Sequence, residues 1–394
     1  MFKESRVMSQ GSRAKSQESR GKGNFYFSLF TFLFSLLFVI LLSSCQRHVP
    51  DVEFFGKKGD SEMFEKELFA RVDGVEQPIE VSYTDCMLLT AQEDFNGDGV
   101  RDALVTNIQA FGGNALGNNF FFVSRTDDGR FVLSDFFGES VYDDPVVETW
   151  QGRPAVVFTD TRYDEYTEDY ESWQERYVLI DTFAVRAVSP ESVTLMPGIS
   201  VEEWQRLSER MEMGKGTDED SVKLSDCDVF YDLYNEGCSW YCGGEVQELT
   251  ATACRKAEGD VTYEGTNAHD FDHESVWASK SKGVGESLIY RFAGNCPRIT
   301  TIKILNGDVK SDEAWQSSSR VKMLKMYVND KPYALLALED SRSLQCFEIG
   351  TVGYHLPDAP DWTLRFEVVE IYPGSQRNAS MVIAELFFDG IDVH

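Results

Sequence analysis

The feature that most limits how this chain can fold is its punctuation. Short runs rich in Phe, Tyr, Thr and β-branched residues recur along most of its length, and Gly, Asp or Asn soon ends each one. Such runs are too short for long helices but suit strands. In Thr363-Leu-Arg-Phe-Glu-Val the apolar residues fall on every second position, so Leu364, Phe366 and Val368 share one face. Similar stretches in the second half are Ser287–Phe292, Ile299–Leu305, Val321–Val328, Tyr333–Leu338, Leu344–Ile349 and Ser380–Phe388. The first half offers Met87–Thr90, Ala103–Ile108, Asn119–Ser124, Phe131–Phe136, Val146–Trp150, Ala155–Thr159 and Arg176–Ala187. The expected fold is mostly β: an N-terminal antiparallel meander domain followed by a C-terminal β-sandwich of jelly-roll size. One helix interrupts it. Ser200 and Glu203 form a capping-box pattern that opens a helix to about Met213.

Charge narrows the partners. The chain carries 37 basic and 66 acidic side chains, a formal net charge of −29. Its first 44 residues hold six basic and two acidic ones, so the remainder is more acidic still. Such a surface repels phosphate backbones and anionic lipid, which argues against nucleic acid as a partner. Lys3 to Lys22 are basic and Ser/Gly-rich, and Phe25 to Leu42 are uncharged and nearly long enough to span a bilayer. Leu42-Ser43-Ser44-Cys45 follows and resembles a bacterial lipobox, which implies lipidation of Cys45 and cleavage before it; an uncleaved anchor helix is the alternative. Two or more acyl chains would hold the product on a membrane. Gln46 after the Cys points to the outer membrane or cell surface rather than the cytoplasmic membrane. The expected organisation is a leader over 1–44, a tether over 45–56, a β-rich domain over 57–213, a linker over 214–236 and the jelly roll over 237–394. Export into an oxidising compartment also predicts disulfides among the six cysteines from Cys227 to Cys346.

Asp94-Phe-Asn96-Gly-Asp98-Gly-Val100-Arg-Asp102 places oxygen ligands at positions 1, 3, 5 and 9 and a backbone carbonyl at 7, a spacing that can wrap Ca2+. Gly99 at position 6 permits the sharp turn, whereas Val105 occupies the position where an EF-hand carries Glu. Strands on either side make this a strand–loop–strand unit, which resembles the calcium loops of FG-GAP and related β-repeat proteins. A metal-free Asp/Asn/Gly turn is the other reading. Beyond it, Asp160 to Trp173 interleave aromatics with carboxylates, including Glu165 and Glu168. This suits a solvated acidic hairpin, or else a sugar-stacking rim or glycosidase acid pair.

From Cys238 onward a set of stretches occurs in a telling order: Cys238-Ser-Trp-Tyr-Cys-Gly-Gly244, Asn267-Ala-His-Asp270-Phe-Asp272 through Ser275 to Trp277, and Ile304-Leu-Asn306-Gly307. Lys310-Ser311, Ser319-Arg320-Val321-Lys322, Val369-Glu-Ile-Tyr-Pro-Gly374 and Ile383-Ala-Glu385 follow. Together they resemble the NADase-type glycan-binding domain, one of the galactose-binding-like, discoidin-type jelly rolls. The resemblance implies a second Ca2+ loop, held by the carbonyls of Ala268 and Asp272, the Asp270 carboxylate, the Ser275 hydroxyl and Glu385, with Trp277 as core beneath it. Phe271 stands where the family has Gly, which sets a positive φ against a bulky side chain. His269 and His273 flank the loop without the spacing of a zinc site.

Sugar recognition by such folds needs an aromatic face and polar groups in loops at one end. Trp315 is the stacking candidate, with Asn306, Lys310 and Arg320 as polar candidates; turn, ion-pair and loop-anchor roles compete for each. No nucleophile elbow, phosphate loop or dinucleotide fingerprint is present. The expectation is a lipid-anchored envelope protein that binds a carbohydrate or glycoconjugate rather than an enzyme, with a glycan or nucleotide-sugar hydrolase as the alternative.

Overall fold

Period-two patterning becomes strand where one face can be buried. In Trp362–Tyr372, Leu364, Phe366 and Val368 are buried while Thr363, Arg365 and Glu367 stay partly exposed, as the alternation predicts. The structure is a computed structural model describing residues 49–58, 65–81, 86–110, 116–140, 145–164, 169–234 and 239–393. The leader, Cys45, Glu165 and Glu168 lie outside these residues.

The first sheet contains β1 (Val52–Lys58), β2 (Glu65–Val72), β3 (Val75–Ile79), β4 (Met87–Glu93), β5 (Asp102–Ala110), β6 (Leu116–Arg125), β7 (Phe131–Leu133) and β8 (Phe137–Ser140). Their order is β1-β2-β4-β5-β6-β7, with β3 on β2 and β8 on β6. Both faces of its centre are buried. Ala103, Val105, Phe121 and Val123 join one cluster, and Leu104, Phe120 and Phe122 join another that includes Phe158 of the next sheet. Phe120 stacks on Phe158 with centroids 5.5 Å apart, so the first sheet lies against the meander that follows.

That meander runs through β9 (Val146–Trp150), β10 (Arg153–Asp164), β11 (Asp169–Ile180) and β12 (Phe183–Val188), after which β13 (Ser192–Leu195) departs. The expected single strand Arg176–Ala187 is two strands, because Asp181 adopts φ +55° and turns the chain. Three helices follow: α1 (Val201–Glu212), α2 (Asp218–Leu224) and α3 (Asp228–Tyr234). The Ser200 hydroxyl accepts the Glu203 N–H and caps α1 as expected.

The sandwich is built from β14 (Glu248–Ala251), β15 (Trp277–Ala278), β16 (Ser287–Phe292), β17 (Ile299–Asn306), the short α4 (Asp312–Ser317), β18 (Ser319–Val328), β19 (Lys331–Ala337), β20 (Ser343–Val352), β21 (Trp362–Tyr372) and β22 (Met381–Gly390). One layer is β14-β16-β21-β18-β19, the other β13-β20-β17-β22-β15. They touch where β18 and β22 pair in parallel through Ser319–Met381 and Arg320–Val382. Between them lie Tyr290, Phe292, Ile302, Ile304, Phe347, Phe366 and Phe388, a jelly-roll core.

Two expectations change here. The meander and the sandwich are not separated by a break at 214–236. β12 pairs in parallel with β19 through Arg186–Ala334, Ala187–Leu335 and Val188–Leu336, so one layer of the sandwich continues into the meander. Residues Asp51–His394 form one compact unit. The expected linker contains α2 and α3 instead, because Val229, Phe230 and Leu233 make an apolar helical stripe. That stripe packs on Leu305, Val382, Ala384 and Phe387 of the sandwich. Among the described residues the thiols of Cys86, Cys227, Cys254, Cys296 and Cys346 are free, so no disulfide forms among these five; Cys227 and Cys296 are core residues, and Cys238 lies outside the described residues.

Leu335 is buried in the cluster that joins Val178 and Val185 of the meander to Met323 of the sandwich. Leu335→Ala is expected to cost about 2–5 kcal/mol, read as a lower urea midpoint of a single transition that carries both parts. Two separate transitions, with only one shifted, would show that the parts unfold independently.

Candidate functional site

The first loop joins β4 to β5. Gly97 and Gly99 take φ of +78° and +88°, which lets the chain curl round the Asp94 side chain. Asp94 accepts N–H bonds from Gly97 at 2.8 Å, Asp98 at 3.1 Å and Gly99 at 2.9 Å. Asp98 accepts Val100 N–H at 2.7 Å. At the ninth position, Asp102 is fully buried. Its Oδ2 accepts the N–H groups of Phe95 and Asn96, but its Oδ1 has no partner. Burial raises the Asp102 carboxyl to about 7, the two backbone bonds oppose this, and the nearby Asp98 and Asp94 charges add to it. A carboxylate oxygen left dry at this position is what a hard cation would satisfy, and bonded carboxylates retain further lone pairs.

The second loop follows a short 3-10 turn, Gly265–Ala268. Asp270 accepts Asp272 N–H at 3.1 Å and the Ser275 hydroxyl at 2.7 Å. Asp272 in turn accepts Glu274 N–H at 3.1 Å. Phe271 does hold the positive φ, +58°. Such a conformation costs a bulky residue roughly 1–2 kcal/mol, and the ring offsets it by packing on Tyr241 and Phe387, with centroids 5.1 and 5.7 Å away. Trp277 is fully buried beneath the loop and donates to Ala253 O at 3.0 Å, as core. His269 faces the Leu386 carbonyl at 2.8 Å and His273 meets the Tyr234 hydroxyl; burial lowers both pKa values, so each serves as a neutral packing group.

Glu385 lies on β22 under this loop with no exposed surface, and neither carboxylate oxygen has a hydrogen-bond partner. Burial first, then the Asp270 charge, drives its pKa up to about 10. The residues therefore fit a cation here too: Ala268 and Asp272 carbonyls, the Asp270 carboxylate, the Ser275 hydroxyl and Glu385. Among the described residues no three His, Cys, Asp or Glu side chains converge as a metal cluster, so carbonyl oxygens would have to complete either set.

Beside the second loop opens a polar cleft of about 480 Å3. Its walls come from the 255–263 hairpin, the Asp272–Val276 side of the loop, Asp308 to Ala314, and residues 376–382. Asn267 ties loop to hairpin by donating to Thr262 O at 3.0 Å. The Arg255 guanidinium lies over the Tyr263 ring, 4.7 Å from its centroid. Asp308 ion-pairs with Lys310 at 3.0 Å while its Oδ1 is buried without a partner.

Of the four glycan candidates, Lys310 lines this cleft. The other three are drawn into structure. Asn306 is fully buried and its amide exchanges both bonds with the Val321 backbone, at 2.7 and 2.9 Å. Arg320 is buried, forks onto Asp340 at 2.7 and 3.2 Å, and covers Trp315 at 4.2 Å. The Trp315 indole N–H donates to Asn306 O at 2.9 Å. The sequence reading missed Tyr263, Arg255 and Asp308. The first two lie on an irregular segment with no periodic signal, although Asp308, two residues from Asn306, was within reach.

Residues 240–389 match the family described as the NAD glycohydrolase translocation F5/8 type C domain. Among solved structures, CBM32-3 from a family 31 glycoside hydrolase of Clostridium perfringens is similar, at 18% identity over 36% of this chain and 91% of that one, with a TM-score of 0.28. No curated protein matches the chain.

The raised carboxyls set a pH dependence. At about 7 and about 10, Asp102 and Glu385 hold protons in the folded state that the unfolded chain releases near ordinary carboxylate values. In chelator, stability should therefore fall as pH climbs from about 4 to beyond 7. Glu385→Gln should flatten that fall and raise the melting temperature at pH 7 in chelator, yet lose part of the gain that calcium gives the parent chain. A parent melting temperature indifferent to calcium would remove the cation from both loops.

Proposed function

We propose that the chain is an exported, lipid-anchored binding protein whose jelly roll recognises carbohydrate at the cleft beside its second loop, with calcium stiffening both loops. The observation that carries this reading is the union of cleft and loop. Asp272 and Ser275 line the cleft and also belong to the cation set, and Asn267 reaches from the same wall to the hairpin bearing Tyr263. Polar walls round a single aromatic suit a hydroxylated ring, which needs many directional hydrogen bonds and one apolar contact. The family match over 240–389 supports a jelly roll of the F5/8 type C kind over the residues that bear the cleft.

Two features favour binding over catalysis: Lys310 is paired with Asp308, and the Ser275–Asp270 hydroxyl–carboxylate pair belongs to the cation set. The lipobox Leu42-Ser43-Ser44-Cys45, after an uncharged run, is what supports anchoring through Cys45. The acidic surface fits an envelope location facing divalent cations and neutral ligands.

Two measurements test the reading. The full chain on a glycan array should bind some saccharide, more weakly in chelator, and Tyr263→Ala should lower that affinity about tenfold, roughly 1.4 kcal/mol. Failure across broad host and bacterial glycans would overturn it. Cys45→Ser should shift the protein from membrane to soluble or precursor fractions, and mass spectrometry of the parent should find the acylated thiol. An unmodified sulfur on an intact leader would remove the anchor.

A further inference from the structure

We propose that the cleft selects amine-bearing saccharides, with a protonated sugar nitrogen held between Asp260 and Glu274, over N-acetylated or acidic ones. This rests on the glycan reading above and adds the chemical class of the ligand.

The argument is a charge balance. Asp260, Asp272, Glu274 and Asp308 line the cleft, against Arg255 and Lys310. Both cations are already engaged. Arg255 is paired with Glu258 and covers the Tyr263 ring, and Lys310 is paired with Asp308. Asp260 and Glu274 are exposed at the wall and have no ion-pair partner among the described residues. Asp308 Oδ1 is dry and has no donor. The cleft thus offers acceptors and uncompensated negative charge, beside neutral donors such as the Tyr263 and Ser380 hydroxyls and the Gln376 amide. A ligand that brings N–H and O–H donors and positive charge complements it. A uronate or sialate carboxylate would instead meet unpaired carboxylates in a chain of net charge −29. An acetamido group would lose the cation and keep one weaker donor.

Calorimetry on the full chain at about pH 5.5, below the range in which amino groups lose their protons, compares three probes: a deacetylated chitosan oligosaccharide, its fully N-acetylated counterpart and an oligogalacturonate. The deacetylated probe should bind about tenfold tighter than the acetylated one, roughly 1.4 kcal/mol, with the galacturonate weakest. Asp260→Asn with Glu274→Gln should abolish the preference at unchanged melting temperature. Glu67→Gln on β2 with Glu80→Gln just after β3 should leave it intact. An equal loss in that control pair would show bulk attraction of a polycation and overturn the proposal. Equal or tighter binding of the acetylated or acidic probe would overturn it while leaving glycan recognition standing. Binding of no saccharide at all would overturn both.

Discussion

A buried carboxylate without a partner sits on β22 beneath the second loop, and much of this end of the fold is arranged around it. Glu385 is on β22, which pairs with β17 along one edge and with β15 and the start of β18 along the other. An ionised group there would cost several kcal/mol of desolvation, so the site must hold either a proton or a cation. Asp270 stands close enough to raise its pKa further, which makes two adjacent carboxylates unfavourable without positive charge between them. The curl of the 268–275 loop, the strained backbone at Phe271 and the buried Trp277 beneath shape the loop that covers this acid.

Ser275 and Asp272 belong both to the second loop and to the cleft wall, so whatever orders the loop orders one wall of the cleft. Tyr263 is steadied from the other side by Arg255. The first loop is far along the chain but similar in construction: a buried orphan oxygen on Asp102, with Asn96 also reaching the Asp181 carbonyl at the β11–β12 turn. Asp181 in turn pairs with Lys325 of β18. The first loop is therefore fastened to the sandwich through one turn, and the meander reads as a rigid extension of the jelly roll rather than a module on a tether.

Strand positions were largely legible because period-two alternation is a local property. Val146–Trp150 and Ser287–Phe292 occur with the bounds that the alternation predicts, and Leu364, Phe366 and Val368 face inward as expected. The loops were legible for a related reason: Asp, Asn and Gly at fixed offsets act on backbone within a few residues. Asn306, Arg320 and Trp315 were read as ligand groups because a sequence shows polarity and not burial. In the fold they meet one another, and an amide, a guanidinium and an indole satisfied by neighbours have little left for a sugar.

What the sequence alone determined is the class of structure and its local devices: strands by alternation, helix α1 by its cap, one oxygen-rich turn by spacing and a second by resemblance, and an acidic surface by composition. Only the tertiary structure decided that β12 adds to β19, that the expected linker folds as helices on the sandwich, and that Tyr263, Asp308 and the second loop share a cleft. The physical reason is one of range. Dihedral preferences and hydrogen-bond caps act between near neighbours in the chain. Sheet pairing, burial and charge balance join residues far apart in sequence, and their energies depend on which surfaces finally meet.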